Sequence, residues 1–329
     1  MFVVPVPERA LIAEIRRFVN SRQVRHKRHI SAGIGDDCAV LRLDPKSEIL
    51  VTTDFTLEGV HFRREWHSPE SVGHRCLARG LSDIAAMGGK PVTAFLSLAV
   101  PSDLAQSWVR SFLRGLMKLA ARSGVTLAGG DTAQSPEGIL ADIIVVGTVP
   151  RGQAILRSGA RAGDRIYVTG ELGGSAAAVR QMEKAKITPR DYPRHFYPEP
   201  RVEIGRALRE KKLATAMIDT SDGLSTDLSH ICEESGVGAE IEASAIPRSQ
   251  VGRPSHFVDV GLALHGGEDY ELLFTAPAGK KFPGKIAGVA VTQIGRITRA
   301  KEIILCSTEG TRQKLQPHGW EHFHKPKSL

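Results

Sequence analysis

Five short acidic motifs, spread over most of the 329 residues, constrain the fold of this chain more than any other feature. They read GIGDD at 33–37, TTD at 52–54, LSD at 81–83, GGDT at 129–132 and DTSDG at 219–223. Carboxylates gathered from such distant segments repel one another, by about 4 kcal/mol per close pair at an effective dielectric constant of about 20, unless cations lie between them. Mg²⁺ binds a few protein carboxylates and shares its other positions with substrate phosphates. The motifs therefore predict a Mg²⁺-dependent site for phosphoryl transfer.

The length of the chain predicts two domains, because 329 residues exceed what a single hydrophobic core usually organises. The segment RGQAILRSGARAGD at 151–164 has no apolar period and is rich in Gly, Arg and Ala, so it marks the expected boundary. We therefore expect domains at 1–150 and 151–329. Strands and helices mingle in both halves without a sustained βαβ repeat, which indicates an α/β or α+β fold and not a doubly wound sheet.

Local sequence patterns place acidic motifs at the ends of short strands. The β-rich run at 49–53 is expected to deliver Asp54 at a strand end. A strand at 125–128 is expected to lead into a turn formed by GGDT. A further strand at 214–218 leads into a turn at DTSDG, and a helix is expected from Leu224 onwards. Side chains at such strand ends can project into a common cleft.

Composition and charge weigh against a nucleic-acid partner. With 41% hydrophobic and 24% charged residues the chain is typical of globular proteins. Its net charge of +8 favours polyanions in general, but the basic residues are dispersed along the sequence. The densest basic stretch, at 22–28, has no interleaved aromatic residues and is interpreted as a solvated loop. A nucleic-acid binder would have to rest on net charge alone.

Cysteine usage and apolar stretches favour a cytoplasmic protein with no membrane partner. The four cysteines lie far apart without a CxxC pair, which argues against a zinc site and against a disulfide framework. The apolar start of the chain is broken by proline and followed at once by Glu8, so no signal peptide is expected. The longest apolar stretch, at 138–149, is interrupted by Asp142 and is too short to cross a bilayer.

The common nucleotide-binding motifs do not occur. The sequence has no G-x-x-x-x-G-K-[ST] loop and neither the H-R-D nor the D-F-G motif of protein kinases. The glycine-rich GELGGS at 170–175 lacks the G-x-G-x-x-G spacing of a dinucleotide-binding loop, and we interpret it as a tight strand-to-helix turn. Metal ions are therefore expected to do most of the phosphate binding.

Seven motifs, in order along the chain, resemble those of the thiamine-monophosphate kinase family, which belongs to the superfamily of aminoimidazole-ribotide synthetase. They read GIGDDCAV, TTDFTLEGVHF, LSDIAAMGG, GGDT, LRSGARAGDRIYVTG, IDTSDGLSTDL and GGEDYELLF. The resemblance runs from about residue 8 to residue 323. It implies two α/β domains, with the first one binding ATP and Mg²⁺ and pairing with its copy in a homodimer through a shared β-barrel. The second domain would complete the active-site cleft.

The resemblance also implies an activity: ATP and thiamine monophosphate give ADP and thiamine diphosphate by direct in-line transfer. The acceptor phosphate is already ionised at neutral pH, so no general base is required. The metal ligands implied are Asp37, Thr52, Thr53, Asp54, Asp83, Asp131, Asp219 and Asp222, with Asp131 and Asp222 acting in catalysis through bound Mg²⁺. The nucleotide contacts implied are Gly130, Asp131, Arg157 and Ser221, and the acceptor contacts are His61, Glu268 and Trp320.

Each implied role has a structural alternative. Ser221 or Asp222 could cap the helix that follows, which is a common role for these residue types. Asp37 could form a turn and Asp83 could lie on the polar face of a helix. Trp320 could pack against the domain. Gly80 departs from the family, which usually carries Asn there, and the lost amide is expected to weaken nucleotide binding without abolishing activity.

Other functions also remain open. A synthetase of the same superfamily would activate an oxygen atom with ATP; selenophosphate synthetases need a reactive Cys or selenocysteine near the N-terminus, for which Cys38 is the candidate. A catalytically silent nucleotide or thiamine-phosphate binding protein would show erosion of the motif carboxylates, and all of them are retained in this sequence.

Overall fold

The structure of the chain, a computed structural model, describes residues 14–17, 29–32, 34, 38–307 and 309–320. The chain divides into two compact units. Unit 1 comprises Met1–Ile84, Gly89–Ala154 and Phe196–Val202, and unit 2 comprises Ala85–Gly88, Ile155–His195 and Glu203–Leu329. The main transition, between Ala154 and Ile155, falls inside the connection at 151–164. In the part of the chain that is described, no helix is long and apolar enough to span a membrane.

The helices are α1 Pro69–Ala86, α2 Gln106–Ser123, α3 Gly174–Met182, α4 Pro193–Phe196, α5 Val202–Glu210, α6 Leu224–Ser235 and α7 Val260–His265. The strands of unit 1 are β1 Ile30–Ala32, β2 Val40–Leu41, β3 Ser47–Leu57, β4 Lys90–Val100, β5 Thr126–Gln134 and β6 Leu140–Pro150. The strands of unit 2 are β7 Arg165–Thr169, β8 Ala216–Asp219, β9 Gly238–Glu242, β10 Gln250–Val251, β11 His256–Phe257, β12 Leu272–Ala276, β13 Lys285–Ile286, β14 Val289–Thr298, β15 Ile303–Cys306 and β16 Arg312–Lys314.

Unit 1 is a four-stranded sheet covered on one face by two helices. The strand order is β3-β6-β4-β5, in which β4 and β5 are parallel and the other pairs are antiparallel. Helices α1 and α2 approach each other closely at two glycines. A Cβ atom on Gly73 would lie 1.9 Å from the carbonyl oxygen of Phe112, and one on Gly115 would lie 1.8 Å from that of Glu70. The close approach packs the apolar faces of both helices into one core.

The edge strand β3 presents two different faces because successive side chains of a strand point to opposite sides. Its inner face carries Leu50, Thr52, Asp54 and Thr56, all of which are buried or half-buried. The outer face carries large apolar side chains that are exposed in the single chain: Ile49 by 56%, Val51 by 66% and Phe55 by 54%. The polar motif TTD is thus divided between a helix-covered face and an open one.

Unit 2 is built on a mixed sheet in the order β16-β15-β9-β14-β7-β12-β8, with β13 added beside β14. Strand β8 is the terminal strand of this order and pairs antiparallel with β12, with Asp219 opposite Leu272. The DTSDG motif begins at the end of β8 and leads directly into α6. The expected strand, turn and helix are therefore confirmed at this motif.

Two expectations about the acidic motifs in unit 1 were wrong. Asp54 does not end a strand, because β3 pairs with β6 without interruption as far as Leu57 opposite Leu140. GGDT does not form a turn either, because β5 runs through it from Thr126 to Gln134 alongside β4. Gly130, at φ 147°, permits this path, since a Cβ atom there would lie 1.8 Å from the carbonyl oxygen of Leu96. With glycine at position 130, β5 can lie close beside β4, and the strand continues through the motif.

Candidate functional site

Three of the implied metal ligands meet in unit 1, between the inner face of β3 and α1. The Thr52 hydroxyl donates a hydrogen bond to Oδ2 of Asp83, which lies near the end of α1. Asp54, two residues further along the same face of β3, interacts directly with Asp83. Two carboxylates and a hydroxyl oxygen are therefore gathered from segments about thirty residues apart in sequence.

Electrostatic repulsion is built into this group. Burial and then the charge of Asp83 raise the pKa of Asp54 to about 7. Arg79, one helical turn before Asp83 on α1, opposes this effect, with its Nε atom 3.6 Å from Oδ1 of Asp54. Sequence analysis did not identify Arg79 as part of the site. Its position four residues before Asp83 on a predicted helix was the available signal.

Thr53 and Asp131 belong to the outer face of the same sheet and not to the group around Asp83. The Thr53 hydroxyl donates to Oδ1 of Asp142 on β6 at 2.6 Å. The cross-strand register aligns Asp142 with Ser97 of β4, and Ser97 with Asp131 of β5. Asp142 interrupts the apolar stretch at 138–149, and a charge within such a stretch is the signal by which the sequence indicates it. The structure thus divides the implied ligands of unit 1 that it describes into an inner and an outer group.

Position 80, where the family resemblance implies Asn, has little room for a side chain in this chain. Gly80 lies in α1 where the helix meets the sheet, and a Cβ atom there would lie 2.6 Å from Cγ2 of Val145. Thr52 is the next neighbour, with its Cγ2 atom at 3.5 Å. Val145 therefore occupies the space into which a larger side chain at position 80 would extend.

His61, an implied acceptor contact in unit 1, is held in a fixed orientation. Its Nδ1 atom accepts a hydrogen bond from the backbone N–H of Leu57 at 3.0 Å, and its carbonyl oxygen accepts one from Arg75 at 3.2 Å. In the neutral ring the proton therefore lies on Nε2. Asp37, by contrast, lies outside the described residues.

In unit 2 the DTSDG loop is held by backbone hydrogen bonds from the GGEDYEL motif. The N–H of Glu268 donates to the carbonyl oxygen of Ser221 at 2.8 Å, and the N–H of Tyr270 donates to that of Thr220 at 3.0 Å. Glu268 and Tyr270 adopt positive φ angles of 64° and 52°. Residues without glycine's freedom keep such angles only where their surroundings impose them, and these outliers cluster at functional sites. Two motifs about forty residues apart thus form one structural element.

The implied acceptor residue Trp320 reaches the same loop. Its backbone N–H donates to the carbonyl oxygen of Asp222 at 3.0 Å, while its side chain remains 53% exposed. Unit 2 therefore brings together residues from three distant parts of the sequence, namely the loop carrying Asp219, Ser221 and Asp222, the strained Glu268, and Trp320. An exposed indole beside a carboxylate loop is suited to contacting a flat cationic ring.

Helix capping does not account for the acids of this loop. The N-cap residue of α6 is Gly223, and its N–H is bound by Asp227 at 3.0 Å from within the first turn of the helix. Asp227 is another residue that sequence analysis missed. Burial, followed by the charges of Asp219 and Asp222, raises the pKa of its carboxyl group well above the usual value. Neither Ser221 nor Asp222 is therefore the N-cap residue of α6.

The other acids of GGEDYEL stabilise the GELGGS turn. Asp269 accepts hydrogen bonds from the N–H groups of Gly173 at 2.6 Å and Ser175 at 3.3 Å, at the start of α3. Burial raises the pKa of Asp269 to about 7, against the effect of these two donors. Glu271 accepts a hydrogen bond from Thr169 at 2.6 Å. The N–H groups at the start of α3 therefore bind the carboxylate of Asp269. This agrees with the interpretation of GELGGS as a tight strand-to-helix turn.

Arg157, the implied phosphate contact, does not lie beside the DTSDG loop within unit 2. Its carbonyl oxygen accepts a hydrogen bond from Ser235 at 2.9 Å, at the C-terminal end of α6. The DTSDG loop precedes the N-terminal end of that helix, whose length from Leu224 to Ser235 corresponds to about 16 Å. The structure therefore places Arg157 apart from Ser221 and Asp222.

Comparisons with known proteins identify the family of the chain. The family model described as AIR synthase related protein, N-terminal domain, matches residues 35–149, and the corresponding C-terminal domain model matches residues 161–305. The curated thiamine-monophosphate kinase of Escherichia coli (strain K12) is 38% identical over 311 residues, covering 90% of this chain and 93% of the relative.

Solved structures extend the likeness to the fold. The crystal structure of thiamine-monophosphate kinase from Stenotrophomonas maltophilia K279a is 35% identical, with a TM-score of 0.78 over 91% of this chain and 96% of that one. A structure described as AaThiL complexed with AMPPCP and TMP is 33% identical, with a TM-score of 0.75 over 96% and 97% of the two chains. The chain belongs to the thiamine-monophosphate kinase family of AIR synthase related proteins.

Proposed function

We propose that this chain transfers the terminal phosphoryl group of ATP to thiamine monophosphate, giving ADP and thiamine diphosphate. The observation that carries the proposal is the assembly in unit 2, where Glu268 and Trp320 are both fixed by backbone hydrogen bonds to the DTSDG loop. The family relationship supports the same reaction, because a relative at 33% identity was solved with AMPPCP and TMP. The chain is accordingly an ATP-dependent kinase whose acceptor is itself a phosphate.

The residues around Asp83 fit a divalent cation. Oxygen ligands are what Mg²⁺ requires. A cation between Asp54 and Asp83 would relieve the repulsion that, after burial, raises the pKa of Asp54. We propose that Thr52, Asp54 and Asp83 hold Mg²⁺ in unit 1 and that Asp219 and Asp222 hold it in unit 2. Bound Mg²⁺ would supply charge neutralisation for the phosphates. Asp37, Thr53 and Asp131 stay proposed ligands on the strength of the family resemblance.

The chain's own residues would mainly orient the two substrates. The acceptor oxygen is ionised at neutral pH, so alignment and charge neutralisation suffice and direct in-line transfer requires no phosphorylated side chain. Trp320 would contact the aromatic rings of thiamine, and Glu268 would face its positive thiazolium ring. His61 is proposed as a further acceptor contact, and Gly130, Arg157 and Ser221 as nucleotide contacts. Turnover of thiamine monophosphate with ATP, assayed with Mg²⁺ and with a chelator, tests the proposal.

We further propose that the chain is a homodimer formed through the outer face of the unit 1 sheet. Ile49, Val51 and Phe55 form an exposed apolar row on an edge strand, which is a common feature of interaction surfaces. A second copy covering this row would produce the shared β-barrel expected from the family. A cytoplasmic location is proposed as well, since ATP is the co-substrate and Cys76, Cys232 and Cys306 are free buried thiols.

Replacing Val51 by lysine is expected to convert the dimer to a monomer. Val51 is 66% exposed in the single chain, so the unassembled protein should tolerate the charge, whereas a dimer would bury it without a counter-ion. Light scattering coupled to size exclusion would measure the mass of each variant. Val179→Lys, at an apolar residue of α3 that is 37% exposed, is the control and should remain dimeric. A wild-type monomer, or a dimeric Val51→Lys variant, would exclude this interface.

A further inference from the structure

The last described residues of the chain are tied to the first turn of α6. We call residues 317–320 the C-terminal strap. Its His318 N–H donates to the Ser225 hydroxyl oxygen at 3.4 Å, and its Gly319 N–H donates to the Thr226 hydroxyl oxygen at 3.0 Å. The Trp320 N–H donates to the carbonyl oxygen of Asp222 at 3.0 Å. Three consecutive backbone N–H groups of the strap therefore donate to the first turn of α6 and to the loop before it.

The fit of the strap is close. A Cβ atom on Gly319 would lie 2.1 Å from the carbonyl oxygen of Asp222 and 2.5 Å from the Thr226 hydroxyl. Real Cβ atoms do not approach backbone oxygens to this distance, so the strap can take this path only with glycine at position 319. The exposed indole of Trp320 follows directly after this fixed point.

We propose that Thr226 is a positioning residue for acceptor recognition, which acts by fixing Gly319 so that Trp320 stands beside Asp222. This inference rests on the proposed function, in which Trp320 contacts the thiamine ring and Asp222 lies near the phosphates. Thr226 itself contacts neither substrate. The Thr226 hydroxyl fixes the distance between the aromatic contact, Trp320, and the acidic contact, Asp222. Its loss should therefore weaken binding of the acceptor and leave the nucleotide contacts unchanged.

Thr226→Val tests this role because valine keeps the shape of threonine and removes the oxygen that accepts from Gly319. We expect the KM for thiamine monophosphate to rise about fivefold to tenfold, as for the loss of one hydrogen bond to a backbone amide. The kcat at saturating acceptor and the KM for ATP should stay within about twofold of wild type. Thr226→Ser keeps the hydroxyl and should restore the wild-type KM, and Trp320→Ala should raise the same KM at least as much as Thr226→Val.

The outcomes separate this inference from the proposed function. If the wild-type chain forms no thiamine diphosphate, the proposed function fails. If the wild type is active and Trp320→Ala raises the KM while Thr226→Val does not, the positioning role is overturned. It is also overturned if Trp320→Ala leaves the KM unchanged, or if Thr226→Val lowers kcat and alters the KM for ATP to the same extent. Should Thr226→Val fail to fold, Thr226→Ala gives the same decision, because it removes the same hydroxyl oxygen.

Discussion

Replacing Asp83 by asparagine is expected to lower kcat by about 10²–10³-fold, the usual cost of removing one group that stabilises charge in the transition state. Asp83 is the member of the inner group that touches both others, since it accepts a hydrogen bond from Thr52 and interacts with Asp54. Asparagine can still accept from Thr52, so the local fold should persist. The change removes the negative charge that is proposed to bind Mg²⁺.

The same variant should be at least as stable as wild type when a chelator removes divalent cations. At a pH above about 7, the value to which burial and the charge of Asp83 raise the pKa of Asp54, both carboxylates are charged in the metal-free protein and repel each other. The substitution ends that repulsion. Thermal melts in EDTA and in Mg²⁺ would measure this, and we expect the Mg²⁺-dependent gain in Tm to shrink in the variant. Loss of activity together with unchanged or higher metal-free stability separates a functional acid from a structural one.

Asp103→Asn is the matched control, because Asp103 is an exposed acid in the loop before α2 and should change neither property. A kcat for Asp83→Asn within tenfold of wild type, equivalent to about 1.4 kcal/mol of barrier, would show that Asp83 is not an essential ligand. A large drop in the Tm measured in EDTA would instead indicate a structural role.

Replacing Arg194 by methionine is expected to destabilise unit 2 by about 2–3 kcal/mol, since removing one member of a buried ion pair leaves the other charge in the interior. The Nη1 atom of Arg194 lies 2.9 Å from Oε1 of Glu271, whose side chain is only 1% exposed. Arg194 itself is 37% exposed, which allows water to approach and places the expected cost at or below the lower end of the usual range of about 3–5 kcal/mol. Urea unfolding would measure the change.

Two further variants isolate this ion pair. Arg206 has the same exposure, 38%, but pairs with Glu203 and Glu210 at the surface, so Arg206→Met should cost less than about 1 kcal/mol. Adding Glu271→Gln to Arg194→Met should recover part of the loss, because the buried charge is removed as well. Equal destabilisation by Arg194→Met and Arg206→Met would show that the pair contributes no more than a surface contact.

The sequence was sufficient to predict the elements that depend on local patterns. The helix from Leu224, the strand before DTSDG and the structural nature of GELGGS all follow from short-range signals and agree with the structure. The division of the TTD motif between two faces could also have been anticipated, because alternation along a strand is a local property. It was obscured by the expectation that the strand ends at Asp54.

The errors and omissions share a physical cause, which is that they depend on partners distant in sequence. GGDT remains a strand because β4 supplies a parallel partner for it, although two adjacent glycines usually favour a turn. Asp142 accepts a hydrogen bond from the hydroxyl of Thr53, which lies 89 residues earlier. The backbone N–H of Gly319 donates to the hydroxyl of Thr226, which lies 93 residues earlier. Local propensities contain no information about such contacts.

The most direct test of the central claim is formation of ADP and thiamine diphosphate from ATP and thiamine monophosphate in the presence of Mg²⁺, with unphosphorylated thiamine as the alternative acceptor. We expect equal amounts of the two products with the monophosphate, no phosphorylation of thiamine, and loss of turnover in EDTA. If folded protein forms no thiamine diphosphate at saturating Mg²⁺, or phosphorylates thiamine equally well, the proposed function is wrong.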